Sequence, residues 1–105
     1  MIDSVLDAYL NYLTVEKGLS RNTLEAYGRD LCRYTDFVVR RGIKSWEDVT
    51  LESLVAFLEQ TKKEGLATVS RNRNLIAIRG FHKYLMQEKF THANPVAPIE
   101  LAKGW

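Results

Sequence analysis

Four cations lie in one stretch of the chain, between Ala67 and Gln87, that contains no acidic residue. Small hydroxyl and amide side chains, which can bond phosphate oxygens or base edges, are interleaved with them. The cations are Arg71, Arg73, Arg79 and Lys83, and the polar residues include Ser70, Asn72 and Asn74. This composition suits a polyanion, and we interpret it as a nucleic-acid-binding surface. A solvated helix face without a ligand is the alternative interpretation, and charge alone does not separate the two.

The apolar residues of the same stretch recur at helical spacing, which predicts a helix with one buried face. At about 100° per residue, Arg73 points almost directly away from that face, and Lys83 lies well to its side. The residues expected to be buried are Leu75, Ile78, Phe81 and Leu85. The helix can therefore bury one side and present cations on the other.

Thr68 is expected to be the N-cap of this helix. The free backbone N–H groups of the first turn would then lie beside Ser70, Arg71 and Arg73, in the positive end of the helix dipole. Such helix starts bind phosphate groups. Arg71 and Arg79 lie close enough to the apolar face that each could instead cover its edge with the side-chain stem.

Three further helices are predicted upstream, over residues 3–17, 21–41 and 51–63, with Ser20 and Thr50 as the caps of the second and third. Their expected apolar faces are Leu6, Tyr9, Leu10 and Leu13; Leu24, Tyr27, Leu31, Tyr34 and Val38; and Leu51, Leu54, Phe57 and Leu58. No segment alternates with period two. The sequence therefore predicts an all-α fold, a compact four-helix bundle with short connections.

The second predicted helix carries a basic but mixed outer face. The residues opposite its apolar stripe are Asn22, Arg29, Arg33 and Arg40, flanked by Glu25 and Asp36. Between the second and third helices, Trp46 and Val49 are expected to close one end of the core.

A single domain fits the length of 105 residues and the hydrophobic content of 46%. Helical spacing fails after Lys89, where Asn94-Pro95 marks a turn. We predict a nucleic-acid-binding domain over residues 1–93 and a linker tail over residues 94–105.

Several kinds of chemistry are not expected in this chain. Cys32 is the one cysteine, so no internal disulfide can form, and with His82 and His92 it cannot complete a zinc site. No metal and no cofactor are expected. No signal peptide or membrane-spanning run is present, which predicts a cytoplasmic protein without a membrane partner.

The tyrosines are the remaining candidates for catalysis, since a phenol can act as a nucleophile. Three of the five, Tyr9, Tyr27 and Tyr34, fall on predicted apolar faces, where packing is the expected role. No sequence pattern places an activating group beside any of them. We expect no catalysis from this chain, and structural roles for His82 and His92.

Two residue strings resemble those of a known family. The first runs from Gly18 to Thr23 and is followed by Tyr27, Asp30 and Leu31. The second comprises Arg73, Leu75, Ala77, Ile78, Arg79, Phe81, Tyr84 and Leu85, followed by Asn94-Pro95. In this order they resemble the N-terminal SAM-like, core-binding domain of tyrosine recombinases, the phage-integrase family, especially its Xer type. The similarity spans Leu6 to Pro95, and Ser70 stands where the family has a threonine.

This resemblance implies that the second and fourth helices face duplex DNA, as one jaw of a clamp. The DNA contacts that it implies are Ser20, Arg21, Asn22, Thr23, Ser70, Arg73 and Arg79. The charged and polar pattern of the same helices adds Arg29, Arg33, Arg71, Asn74 and Lys83. The family's catalytic residues lie in a separate C-terminal domain, so this chain would position DNA and not cut it. Other recombinase protomers are implied partners in the synaptic complex, and the isolated domain is expected to be a monomer.

A protein-interaction module of another class is the alternative function. Trp46 or the segment Pro95 to Trp105 would then be the docking patch. Self-association or protein binding, without any shift of duplex DNA at low salt, would favour this alternative.

Overall fold

Four α-helices and one short 3-10 helix make up the computed structural model, which describes residues 4–98. The helices are α1 (Ser4–Val15), α2 (Arg21–Arg40), α3 (Leu51–Lys63) and α4 (Thr68–Gln87), with the 3-10 helix at Trp46–Asp48. No strand occurs within residues 4–98, which confirms the all-α prediction. None of the described helices is long and apolar enough to cross a membrane. The predicted start at Asp3 and the tail from residue 99 onward lie outside the described residues.

Side-chain caps begin two of the helices as predicted. The Ser20 hydroxyl accepts from the Thr23 N–H at 3.2 Å, and the Thr50 hydroxyl accepts from the Ser53 N–H at 3.2 Å. Each cap satisfies a backbone donor that the first helical turn leaves without a partner.

The prediction that Thr68 caps α4 is wrong. Ala67 is the N-cap, without a side-chain hydrogen bond, and Thr68 already lies inside the helix. The Thr68 hydroxyl instead accepts from Nη2 of Arg71 at 3.1 Å. The guanidinium one turn later therefore takes the oxygen that would otherwise have capped the backbone.

The core lies where α2 packs across α4, with α1 against α2 and α3 against both. All four residues predicted for the buried face of α4 have no accessible surface, as do Leu31, Tyr34 and Val38 of α2. Trp46 and Val49 are also buried, as predicted. Leu10, Leu24 and Tyr27 are only partly buried. Leu51 is 38% exposed, because it is the first residue of α3 and shares the outward side of that helix with Val55.

The core extends beyond α4 along the chain. Val96 falls in the predicted linker but has no accessible surface, and its N–H donates to Oδ1 of Asn94 at 3.1 Å. The division of the chain at residue 93 stays a prediction.

His82 of α4 lies inside this core, where a hydrogen bond of 2.8 Å joins its Nε2 to the hydroxyl of Tyr34. Burial lowers the pKa of His82 from 6.5 to about 4, because the apolar surroundings disfavour the charged ring. The folded protein therefore favours the neutral form of the His82 ring.

We predict that His82 makes the fold sensitive to acid. Between pH 6.5 and about 4 the unfolded chain binds a proton that the folded chain does not, so the free energy of unfolding falls as pH falls through this window. The full loss is about 3 kcal/mol. Urea unfolding at pH 7 and pH 4 should show a smaller acid loss for His82→Gln than for the parent chain. Equal losses in the two chains would contradict the prediction.

Gly80 of α4 is a point of close approach to α1. A Cβ at this position would lie 2.6 Å from the hydroxyl oxygen of Tyr9, which is too close for real atoms. The Tyr9 ring cannot easily move away, because it packs against Phe81 and Tyr84 with ring centroids 5.4 and 5.0 Å apart. Glycine is therefore required here by packing.

We predict that Gly80→Ala destabilises the domain although alanine favours helices. Gly28 of α2 provides the matched control, since a Cβ there meets only Leu10 at an ordinary 3.7 Å. Gly28→Ala should stabilise the fold by about 1 kcal/mol, the usual helix preference. Thermal melting of both variants tests this, and Tyr9→Phe should recover stability in the Gly80→Ala background. A rise in melting temperature for Gly80→Ala alone would contradict the prediction.

Candidate nucleic-acid interface

The start of α2 presents a group of polar side chains that are predicted to contact DNA. Ser20 and Thr23 bond to each other through their hydroxyls at 2.9 Å, which fixes both next to the first helical turn. Asn22 is exposed, and Arg21 is exposed within 3.8 Å of Glu25, one turn later. An ion pair this open to water is weak, so Arg21 is free to exchange Glu25 for a phosphate.

The arginines of α2 share one open groove. Arg21, Arg29 and Arg33 line it together with Arg40, and α1 contributes Leu10, Asn11 and Thr14. Three carboxylates lie in the same groove, those of Glu25, Asp36 and Glu64. The structure thus brings three of the predicted residues together, but it surrounds them with mixed charge, as the sequence of α2 indicated.

Arg73 is joined to α2 by two short hydrogen bonds. Its Nε donates to Oδ2 of Asp30 at 2.7 Å, and its Nη2 donates to Oδ1 at 2.9 Å. The Asp30 side chain is only 2% exposed, whereas that of Arg73 is 36% exposed. These hydrogen bonds raise the pKa of Arg73, because they favour the charged guanidinium. The pair links α2 to α4 and keeps part of the guanidinium at the surface.

Asp30 is the residue of this site that sequence reasoning missed. It was noted as part of a family-like string but was given no role. The two partners are 43 positions apart in the chain, so no helical spacing could have connected them. The signal in the sequence was limited to two oppositely charged residues on two of the four predicted helices.

Two predicted DNA contacts turn inward. Asn74 has no accessible surface, and Arg71 is 8% exposed with its guanidinium on the Thr68 hydroxyl. Arg71 therefore covers the edge of the apolar face, which was the alternative interpretation. Because neither side chain can reach a groove or a phosphate from these positions, both are left out of the candidate interface.

The other candidates on α4 divide between two faces. Ser70 and Arg73 lie about 60° apart around the helix axis, on the side where Asp30 of α2 approaches. Arg79 and Lys83 lie about 40° apart and are turned from Arg73 by roughly 120° and 80°. Lys83 is exposed and Arg79 is half-buried. A single DNA surface that includes Arg73 can therefore also include Ser70, whereas Arg79 would lie at the edge of that surface.

The tyrosines are placed for packing. Burial raises the pKa of Tyr9 to about 12, with smaller contributions from Tyr27 and Tyr12, and burial also raises the pKa of Tyr34 and Tyr84. A raised pKa disfavours the phenolate, the reactive form of a tyrosine nucleophile. Within residues 4–98 there is also no group of three or more His, Cys, Asp or Glu side chains that could hold a metal ion.

Comparison with known proteins agrees with the family-like strings in the sequence. The family model for the phage integrase N-terminal SAM-like domain matches residues 6–89. Tyrosine recombinase XerD of Halalkalibacterium halodurans is 36% identical over 104 residues, which cover 98% of this chain and 35% of the relative. Tyrosine recombinase XerC of Herpetosiphon aurantiacus is 38% identical over 98 residues, which cover 93% of this chain and 32% of the relative.

The chain spans about a third of the length of these curated relatives. No solved structure matches it. The family match covers most of the chain and all four helices, from the first turn of α1 to the end of α4. This protein chain therefore belongs to the phage integrase N-terminal SAM-like domain family, the family that its sequence resembles.

Proposed function

We propose that this domain binds duplex DNA as the non-catalytic part of a site-specific tyrosine recombinase. The domain would hold the recombination site while residues outside these 105 positions cut and rejoin the strands. Its partners would be duplex DNA and further recombinase protomers. A cytoplasmic location and a monomeric isolated domain remain predictions.

The observation that carries this proposal is the link between Asp30 of α2 and Arg73 of α4, which keeps part of a guanidinium at the surface where the two helices cross. Arg73 lies on Asp30 of α2, and Arg33 is exposed one turn further along that helix. No acidic residue occurs in α4. A duplex lying over the α2–α4 crossing would therefore meet the hydrogen-bond donors of Arg73 from α4 and the exposed cation Arg33 from α2.

The roles of these candidate residues differ. Arg29 and Arg33 are exposed on α2 and suit phosphates, whose neutralisation releases counterions and makes affinity fall with salt. Ser70 and Asn22 can donate to phosphates or base edges. One helical domain covers one side of a duplex, so the isolated chain should bind weakly. A second tethered domain on the opposite side would raise affinity by making its contact intramolecular.

The interaction-module alternative loses one of its two supports. Trp46 is 4% exposed and packs against Tyr34 and Phe81, with ring centroids 5.7 and 4.9 Å away. It is a core residue and not a docking patch. Most of the second proposed patch, Pro95 to Trp105, lies outside the described residues.

We predict that the chain shifts duplex DNA and that α2 supplies part of the salt dependence. Fluorescence anisotropy with a mixed-sequence 30-base-pair duplex at several salt concentrations measures the slope of log K against log [salt]. Replacing Arg29 and Arg33 together by Ala should reduce that slope by up to about 0.9 for each phosphate that is no longer neutralised. The matched control replaces Lys62 and Lys63, which carry equal charge at the end of α3. Equal reductions of the slope in both double variants would show that only net charge matters.

We also predict that the chain forms no covalent bond with DNA. The probe is a nicked suicide duplex, carrying sequences that the chain selects from a random pool, which traps any protein attached through tyrosine. No adduct should form, because burial raises the pKa of Tyr9, Tyr34 and Tyr84. Denaturing electrophoresis detects the product, and an adduct through any tyrosine would overturn the assignment of catalysis to residues outside the chain.

A further inference from the structure

Arg73 uses only one edge of its guanidinium for Asp30. A guanidinium has five N–H donors, and the two hydrogen bonds to Asp30 occupy Nε–H and one N–H of Nη2. Both N–H groups of Nη1 and the second of Nη2 remain. Together Nη1 and Nη2 form the outer fork of the side chain, the edge that pairs with two acceptors at once. Within residues 4–98, the structure records no hydrogen-bond partner on this fork, and the further electrostatic neighbour of Arg73 is the phenol of Tyr27.

Asp30 also changes what the charge of Arg73 can do. The carboxylate is 2% exposed, so it is removed from water and depends on Arg73 for compensation. The pair as a whole carries no net charge. A neutral pair releases few counterions from DNA, and the fixed carboxylate repels a nearby phosphate. The fork keeps its directional donors, however, and two hydrogen bonds of 2.7 and 2.9 Å hold it in place.

We propose that Asp30 is a positioning residue that holds the outer fork of Arg73 to read a guanine edge in the major groove, and not to bind phosphate. Guanine presents two neutral acceptors, O6 and N7, at the spacing of such a fork. This inference rests on the proposed function, because it requires that a duplex lies over the α2–α4 crossing. It assigns the two requirements of binding to different residues: free cations such as Arg33 for affinity, and the neutral pair for sequence preference.

The fixed position of the Arg73 side chain favours its assignment to sequence preference. A free arginine loses side-chain entropy when it becomes ordered on a base, whereas Arg73 is already ordered by Asp30. Ser70 lies on the same side of α4, within about 60° of Arg73, and can support it with a contact to the backbone of the same strand.

The test starts with selection of preferred duplexes from a random-sequence pool by the parent chain. Affinity for the selected and the unselected pools is then measured against salt for the parent and for each variant. Arg73→Ala should lower the preference for selected duplexes by roughly ten- to a hundred-fold. The double variant Asp30→Asn, Arg73→Gln removes both charges of the pair, so its salt slope on the unselected pool should stay that of the parent.

Asp30→Asn should change DNA binding in a way that a purely structural role of Asp30 would not. The carboxylate is lost and Arg73 becomes a free cation, so binding to the unselected pool should strengthen and its salt slope should steepen by about 0.9. Preference for selected duplexes should fall, because the fork is no longer fixed. Arg73→Lys keeps the charge and a contact to Asp30 but has no fork, and it should lose the preference without a change in slope.

Base chemistry and a second, more exposed ion pair complete the controls. Replacing guanine by 7-deazaguanine in a selected duplex removes N7, and it should weaken the parent chain but not Arg73→Ala. Arg41→Ala breaks another arginine–carboxylate pair, with Glu52 at 3.0 Å, away from the crossing, and should change neither preference nor slope. Melting curves of all variants confirm folding.

Three results would overturn the inference in distinguishable ways. A shallower salt slope in the double variant Asp30→Asn, Arg73→Gln would make Arg73 a phosphate contact and leave the proposed function intact. A lower melting temperature for Asp30→Asn, with unchanged preference and slope, would make the pair purely structural. If the parent chain binds no duplex at low salt, the proposed function fails and this inference fails with it.

Discussion

The packing of α2 across α4 is the constraint on which the rest of the domain depends. Leu31, Tyr34 and Val38 of α2 have no accessible surface, and neither have the four apolar residues that α4 turns toward the core. The hydrogen bond between Tyr34 and His82 lies inside this contact. Because α1 packs on α2 and α3 packs on both central helices, a change in the α2–α4 crossing would displace every other element.

The same packing decides what each cation of α4 can do. Neighbouring helices cover α4 over so wide an arc that Arg71 and Asn74 are enclosed with the apolar residues. Arg73 reaches the surface only beside the buried carboxylate of Asp30, while Lys83 is exposed on another side. A helix that looked uniformly basic in sequence thus carries one neutralised, fixed arginine and few free charges. In the proposed interface, free cations supply affinity and the fixed arginine supplies sequence preference.

Local patterns in the sequence predicted much of the fold, because helical spacing and capping act over a few residues. They placed the four helices, the caps Ser20 and Thr50, and the buried face of α4. The same patterns failed where a second element decides the outcome. The burial of Asn74 follows from packing on α4 that one helix cannot reveal, and Asp30 meets Arg73 across 43 positions. The prediction of a cap at Thr68 was wrong because its hydroxyl has two possible partners, a backbone N–H of the first turn and the guanidinium of Arg71.

The DNA-facing role of the α2–α4 crossing is tested most directly by amide chemical shifts of the 15N-labelled chain, titrated with a mixed-sequence duplex at low salt. The largest shifts should fall at the start of α2, around Ser20 to Thr23, and on α4 at Ser70 and Arg73. The outer side of α3, where Glu52, Val55 and Glu59 are exposed, should be unaffected. Shifts concentrated on α3, with the crossing unchanged, would contradict the assignment of this surface to DNA.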